Sequence, residues 1–342
     1  MAATLRDVAQ VAGVSFKTVA NVINNHPHVA PETRTRVLAA IEQLGYRANR
    51  SARSLRSGRT GAIGLAVPEL SLAYFAELAD EVITVADEHG IVVLIEQTGG
   101  DRRRELEALS GERRQMSDGL LFSPLELGND DAAALQVEFP LVLLGERIFD
   151  GPVDHVTMEN VEAARAATEH LIAGGRRRIA VIGAHEGERI GSAGLRLAGY
   201  RAALEAHGLA YDEALVVDAG PWHRVNGAEA MRQLLARQVE FDAVFGLNDE
   251  LALGALRVLR ANEFEVPRDV AIVGFDDIDE AQYSLPSLTT VDPGRREIAR
   301  IAVELLLERI ANRATGAPRR ELRSAFRLVQ RESTDREGVT DA

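Results

Sequence analysis

Cysteine is absent from the 342-residue chain. Without a thiol there is no disulfide framework and no thiolate metal site, and a reducing compartment is the natural expectation. Lysine is scarce: Lys17 is the only one, and arginine carries the remaining positive charge. No stretch approaches the roughly 18 uninterrupted apolar residues of a membrane span. The start, MAATLRDVAQVAGVS, lacks the basic-then-apolar order of a signal peptide. The expectation is a cytoplasmic protein with no membrane partner. Catalytic motifs are missing as well. The eight histidines form no HExxH pair, no P-loop occurs, and the serine of GSAG (191–194) lacks the glycine pattern of a nucleophile elbow. Asp276-Asp277 lacks the neighbouring ligands that a metal would need. These absences predict no enzyme, no metal and no cofactor.

What is present is a globular composition, 46% apolar, with an uneven charge distribution. The net charge is −13, yet residues 1–60 hold nine Lys/Arg against three acids. The rest of the chain carries 30 basic and 49 acidic residues. A basic head on an acidic body is suited to attract phosphate at one end only.

The head reads as three helices. In TLRDVAQVAGVS, Thr4 can cap a helix with Asp7 at its third position. Leu5, Val8, Ala9 and Ala12 share one face, and Gly13 stops the helix. Ser15 caps a second helix in which Val19, Val22 and Ile23 face inward. Phe16, Lys17, Thr18, Asn21 and Asn24 point outward. Two short helices joined by a glycine turn form a helix-turn-helix, whose second helix offers its N-terminal residues to a major groove. A third helix follows in VAPETRTRVLAAIEQLGY, with Pro31 in its first turn and Gly45 at its end. Its apolar face is expected to comprise Val37, Leu38, Ile41 and Leu44.

The run from Thr4 to Val67, TLRDVAQVAGVSFKTVANVIN through RANRSARSLRSGRTGAIGLAV, resembles the head of the LacI/GalR family of bacterial transcriptional regulators. The likeness continues more loosely to about residue 331. It implies a double-stranded DNA operator contacted by Thr4, Ser15, Phe16, Lys17 and Thr18, by Asn21, Asn24, His28 and Tyr46, and by a hinge helix over 49–56. Asn21 stands where the family commonly has arginine, so a bidentate guanine contact from that position gives way to a preference for adenine. In the hinge, Asn49, Arg50 and Ala52 match groove-contacting neighbours, and Leu55 matches a leucine that wedges between base pairs. An apolar wedge with basic flanks is a common minor-groove device, and so short a polar helix does not sustain itself in water.

From residue 61 the chain alternates apolar runs with amphipathic helices. AIGLAV, IVVLI, GLLFS, LVLLG, RIAVIG, LVVD, DAVFGL and VAIVGFD are the expected strands, and SAFRLVQRES is a late one. Repeated β-α-β units with near-continuous apolar strands predict parallel sheets covered on both faces. The fold class expected is an all-α helix-turn-helix head plus an α/β two-lobed core with two parallel-sheet, Rossmann-like lobes. The resemblance makes that core periplasmic-binding-protein-like. The boundaries are 1–48 for the DNA-binding domain, 49–60 for the hinge and 61–342 for effector binding and dimerisation. Within the last, one lobe takes about 61–160 and 293–322, the other about 161–292 and 323–331, and 332–342 is a polar tail.

Ligands of open α/β sheets bind beyond the strand C-termini. Polar groups there are Ser123 after GLLF, Glu146-Arg147 after LVLLG, Asn248-Asp249-Glu250 after DAVFGL, and Asp276-Asp277 after VAIVGF. Arg196 lies where a helix starts, and Trp222, the only tryptophan, lies in a loop after LVVD. Asn248 and Asp277 could also simply cap the next helix. Asp, Asn and Arg hold adjacent hydroxyls, while an aromatic ring covers an apolar sugar face. The resemblance matches Arg196, Asn248 and Asp276 to effector contacts of sugar-responsive members. Phe75, Ser123, Glu146 and Trp222 match less closely, and Leu72, Arg147 and Ser192 complete the set.

The implied partners are thus an operator, a small-molecule effector, taken as a sugar, and a second copy of the chain. The polar ending RESTDREGVTDA has no leucine heptad, which favours a homodimer over a tetramer. A branch of the family corepressed by a carrier protein, and a sugar-binding protein without a regulatory role, stand as alternatives. If Leu55 is a wedge, Leu55→Ser weakens specific operator binding and reduces operator bending, because unstacking loses its apolar compensation. Non-specific affinity and its salt dependence hold, since Arg50, Arg53 and Arg56 still neutralise phosphates. Bending and affinity measured across a salt series check this; equal values for parent and variant reduce the stretch to a tether.

Overall fold

The computed structural model describes residues 3–23, 26, 28–46, 59–110, 116–312 and 318–335. Asn24, Asn49, Arg50, Ala52 and Leu55, and with them the hinge, lie outside the described residues. The chain divides between Gly61 and Ala62 into two units.

The first unit is helical. Thr4 and Asp7 cap α1 (Leu5–Ala12) reciprocally: Thr4 N–H donates to Asp7 Oδ2 at 2.7 Å, and Asp7 N–H donates to Thr4 Oγ1 at 3.4 Å. Gly13 takes the left-handed conformation, φ 65°, that ends α1 and turns the chain. Ser15 Oγ then accepts the Thr18 N–H at 3.1 Å and starts α2 (Phe16–Ile23). Pro31 opens α3 (Pro31–Leu44). Val8, Ala12, Val19, Val22, Val37 and Ala40 form the core between the three helices, with Leu5, Val14, Ile41 and Leu44 packed against it. Leu38 departs from expectation. It is 51% exposed, because the inward positions 37, 40, 41 and 44 leave residue 38 about 100° round the helix.

The second unit holds two lobes. The first begins with β1 (Ala62–Val67), α4 (Ala73–Glu88), β2 (Val92–Gln97), α5 (Arg102–Ala108), β3 (Leu120–Phe122), β4 (Leu141–Leu144) and β5 (Asp154–Met158). The chain then crosses to the second lobe. There it builds α6 (Asn160–Ala173), β6 (Ile179–Ala184), α7 (Ser192–Ala206), β7 (Val216–Asp218), α8 (Arg224–Ala236) and β8 (Ala243–Gly246). The series continues with α9 (Asp249–Ala261), β9 (Ala271–Val273), α10 (Asp279–Tyr283) and β10 (Thr290–Asp292). It returns to the first lobe as α11 (Arg295–Ala311) and β11 (Glu321–Ser324), then crosses once more into β12 (Arg327–Val329).

The first sheet has the order β11-β5-β4-β3-β1-β2 and the second β7-β6-β8-β9, parallel throughout. β10 and β12 pair antiparallel. Every residue of β1, β3, β4, β6, β8 and β9 is buried, which is why these strands read as unbroken apolar runs. Helices pack tightly beside them through glycines. A Cβ on Gly254 would lie 2.1 Å from Arg224 O, and one on Gly227 2.3 Å from Leu251 O, so α8 and α9 touch backbone to backbone.

Two strands, β5 and β10, were absent from the expected set. β5 reads DHVTM, and its polar residues are buried because partners meet them: Arg309 Nε and Arg320 Nη2 reach Asp154 at 2.8 and 3.5 Å. The late segment SAFRLVQRES, expected as one strand, is broken at Ala325-Phe326. There the chain passes between lobes, so β11 and β12 serve different sheets.

Candidate functional site

Between the lobes lies a cavity of about 220 Å³. It is walled by the segments that leave the strand C-termini, the geometry of α/β ligand sites. Leu72, Phe75, Ser123, Glu146 and Arg147 line it from the first lobe, and Ser192, Arg196, Trp222, Asn248 and Asp276 from the second. All ten cleft candidates read from the sequence therefore meet at one cavity. Glu250, read with Asn248 as a strand-end group, lines it too, and so do Glu69, Tyr74, His185, Glu188 and His223, which escaped that reading. His185 and Glu188 follow β6 in the same strand-end relation as the others, and that signal could have found them.

Arg196 is the floor. It projects from the second turn of α7, 3% exposed. Its Nε donates to Asn160 Oδ1 at 2.8 Å, Nη1 donates to the Leu247 carbonyl, and Nη2 lies 3.5 Å from Asp276 Oδ1. The guanidinium covers the Phe275 ring at 3.6 Å from its centroid and lies 5.3 Å from that of Trp222. Trp222 is itself pinned, donating Nε1–H to Gly183 O at 3.0 Å and accepting from Asn248 Nδ2 at 3.2 Å. Asn248 does cap α9, accepting the Leu251 N–H at 2.8 Å, while still facing the cavity.

Opposite stands Glu146, buried and held by hydroxyls: Thr157 Oγ1 donates at 3.2 Å and Ser192 Oγ donates across the cleft at 2.8 Å. Arg147 and Glu188 face each other at 3.6 Å, and Glu69 and His223 at 3.2 Å, each pair spanning the lobes. His185 sits between two acceptors, with Nδ1 2.8 Å from Glu188 Oε2 and Nε2 2.9 Å from Gly220 O. Both nitrogens must donate, so the hydrogen bond to Glu188 raises the imidazole above its ordinary value. Burial works to raise Glu188, but the His185 bond and charge with Arg147 leave it lowered.

Asp276 sits in a demanding backbone. Its φ is 118° and that of Asp277 is 50°, two successive non-glycine residues at positive φ. Each such residue costs on the order of 1–3 kcal/mol. Asp277 is turned away, with its Oδ1 2.7 Å from Arg331. Burial drives the Asp276 carboxyl up to about 7, against the pull of Arg196 and Arg295 and aided by Glu146 and Glu77. Next to it, Asp249 accepts from Thr290 Oγ1 at 2.5 Å and from the Ile278 N–H at 3.0 Å. Burial raises that carboxyl well above its usual range. Among the described residues, no group of three or more His, Asp or Glu could hold a metal ion, and no helix is long and apolar enough to cross a membrane.

In the helical unit, Phe16 is 40% exposed on the first turn of α2, and Lys17 beside it is exposed. The Thr18 hydroxyl bonds Ser15 Oγ at 2.8 Å. Asn21 is half-buried and His28 exposed, whereas Tyr46 packs against the helical core. The Thr4 hydroxyl is engaged by Asp7 at 2.8 Å.

A three-helix unit with a helix-turn-helix, followed by a two-lobed α/β core with its cavity at the strand ends, defines a DNA-binding regulator with a ligand-sensing domain. The description of bacterial regulatory proteins of the lacI family matches residues 4–49, and a periplasmic binding protein-like domain matches 168–334. A LacI-family putative transcriptional regulator from Sanguibacter keddieii is 58% identical, with TM-score 0.76, covering 81% of this chain and 99% of that one. The transcriptional regulator CelR–cellobiose complex is 34% identical, with TM-score 0.71, over 97% of this chain and 99% of that one. The lac repressor dimer bound to operator and the anti-inducer ONPF is 28% identical, with TM-score 0.79, over 98% and 99%. The chain belongs to the LacI family of DNA-binding transcriptional regulators, a family that is not enzymatic.

The raised Asp276 carboxyl makes stability depend on pH. In the unfolded chain it ionises near its ordinary value of 3.8; in the folded chain it keeps its proton to about 7. Over that window the folded state binds the extra proton, so this group's contribution to stability falls as pH rises. Asp276→Asn removes that contribution. Urea midpoints at pH 5 and pH 8 should fall more for the parent than for the variant; parallel changes would show that Asp276 titrates normally.

Proposed function

We propose that this protein is a dimeric repressor that grips a pseudo-palindromic operator and changes its grip when a neutral sugar occupies the cleft between its lobes. One head reads one half-site, so a symmetric pair of heads fits a palindrome. On the head, the residues proposed to meet DNA are Thr4, Ser15, Phe16, Lys17, Thr18, Asn21, Asn24, His28 and Tyr46. In the hinge they are Asn49, Arg50, Ala52 and Leu55. The exposure of Phe16 and Lys17 at the start of α2 supports this; the engaged hydroxyls of Thr4 and Thr18 favour a backbone-positioning role for those two.

The observation that carries the effector reading is the cavity lining. Asp276 and Glu146 offer carboxylate acceptors beside the Trp222 and Phe75 rings, the combination that holds hydroxyls and covers a sugar face. Five carboxylates surround the cavity, Glu69, Glu146, Glu188, Glu250 and Asp276, and its two arginines already face Glu188 and Asp276. That balance favours an uncharged polyol over a sugar phosphate. CelR in complex with cellobiose and the lac repressor on its operator support the same reading by likeness.

The test is operator binding, followed by fluorescence anisotropy, against a panel of neutral mono- and disaccharides. At least one sugar should shift operator affinity of the parent. Asp276→Asn should bind the operator as the parent does but need at least about tenfold more sugar, the loss of one charge-assisted contact. An unchanged sugar response in Asp276→Asn places the effector elsewhere.

A further inference from the structure

The cleft is completed by a loop that both lobes hold. Asp276 and Asp277 belong to the second lobe, and both sit at positive φ. Their side chains are met within that lobe by Arg196 and Arg331, and the Asp276 N–H by Val291 O, but their carbonyls are gripped from the first lobe. Arg295, at the start of α11, donates Nη1–H to the Asp276 carbonyl and Nη2–H to the Asp277 carbonyl, the latter at 2.8 Å. Glu77 of α4 stands behind it, Oε2 2.5 Å from Arg295 Nη2, while its Oε1 accepts the Asp279 N–H at 2.9 Å. One carboxylate thus orients the guanidinium and also holds the next turn of the same loop. Neither Glu77 nor Arg295 lines the cavity.

We propose that Glu77 and Arg295 are positioning residues for the effector site: they lock the Asp276–Asp279 loop of one lobe to the other and so present the Asp276 carboxylate to the ligand. The proposal rests on reading the cleft as the effector site. Two carbonyls of consecutive residues at positive φ meet one guanidinium, whose planar fork matches both with its two terminal nitrogens. Released from it, aspartates relax toward negative φ, and the Asp276 side chain swings from the cavity. Burial raises the Glu77 carboxyl, with Asp279 and Glu280 adding to it against Arg295, so this is not an idly solvated acid. Because the grip spans the lobes, the site is whole only when they are together. Ligand affinity and lobe closure then share one set of bonds.

The experiment uses the full chain, with Glu77→Gln, Arg295→Met and Asp276→Asn alone and in pairs. Amide hydrogen exchange without ligand reads the lock. The Asp279 amide should exchange at least about tenfold faster in Glu77→Gln and Arg295→Met, while β6 and β8 keep their protection. Unchanged exchange at Asp279 overturns the proposal. Calorimetry with cellobiose and D-galactose reads the consequence. Glu77→Gln should weaken binding about tenfold when Asp276 is present and hardly at all in the Asp276→Asn background, because it acts through that carboxylate. An equal loss in both backgrounds also overturns it, leaving only a general structural role. If neither sugar binds the parent, the sugar reading of the cleft loses its support, and the exchange data alone decide whether the lock exists.

Discussion

The buried pair of Arg196 and Asp276 is the constraint around which the second unit is arranged. Removing two charges from water costs several kcal/mol per ion, and at 3.5 Å their mutual attraction returns only part of it. The remainder comes from fixed partners. Asn160 and the Leu247 carbonyl satisfy Arg196, the Phe275 ring covers its face, and Arg295 answers the backbone of Asp276. Each partner stands at a strand end or a helix start, so both sheets must be formed before the pair can be tolerated. The Asp276 carboxyl is nevertheless left raised, a sign that its compensation is incomplete without a further donor.

That incompleteness links structure to regulation. A cleft with a fully satisfied lining has little reason to bind hydroxyls. Here Asp276 and Glu146 face the cavity with acceptor capacity to spare, and pairs such as Arg147–Glu188 and Glu69–His223 span its two walls. A ligand that donates hydroxyls to both walls ties together two lobes between which the chain crosses three times, and it favours any arrangement in which it makes the better contacts. The charge division of the sequence fits the same economy of roles. Acids gather in the unit that holds the cavity, and bases in the segment that resembles a DNA-binding head and hinge.

The head was legible in the sequence because its signals are local. Thr4 with Asp7, Gly13, Ser15, Pro31 and Gly45 each act within one turn, and each occupies the expected cap or helix end. The doubly covered strands were legible for a similar reason, since burial on both faces leaves an unbroken apolar run. β5 was not, because Asp154 and Thr157 are made burial-competent by Arg309 and Arg320, far away in sequence, and by Glu146, just beyond the end of β4. Ser123, Glu146, Arg147, Asn248 and Asp276 followed from one rule, polar groups after strand ends, whereas Leu72, Phe75, Ser192 and Arg196 rested on the family resemblance; His185 with Glu188 obeyed the rule unnoticed. Glu77 and Arg295 had no such mark. Their meaning lies in a contact between residues 218 positions apart, which no local pattern encodes.

Whether the Asp276 carboxylate is under-compensated in the empty cleft can be read from one titration. With the aspartate carboxyl carbons labelled with ¹³C, the Asp276 resonance can be assigned by comparison with Asp276→Asn and followed against pH in the ligand-free protein. A midpoint near 7 is expected. A midpoint at or below about 4, the range of an ordinary aspartate, would contradict it: Arg196 and Arg295 would then already satisfy the charge, and the cleft would have no unmet acceptor for a ligand to fill.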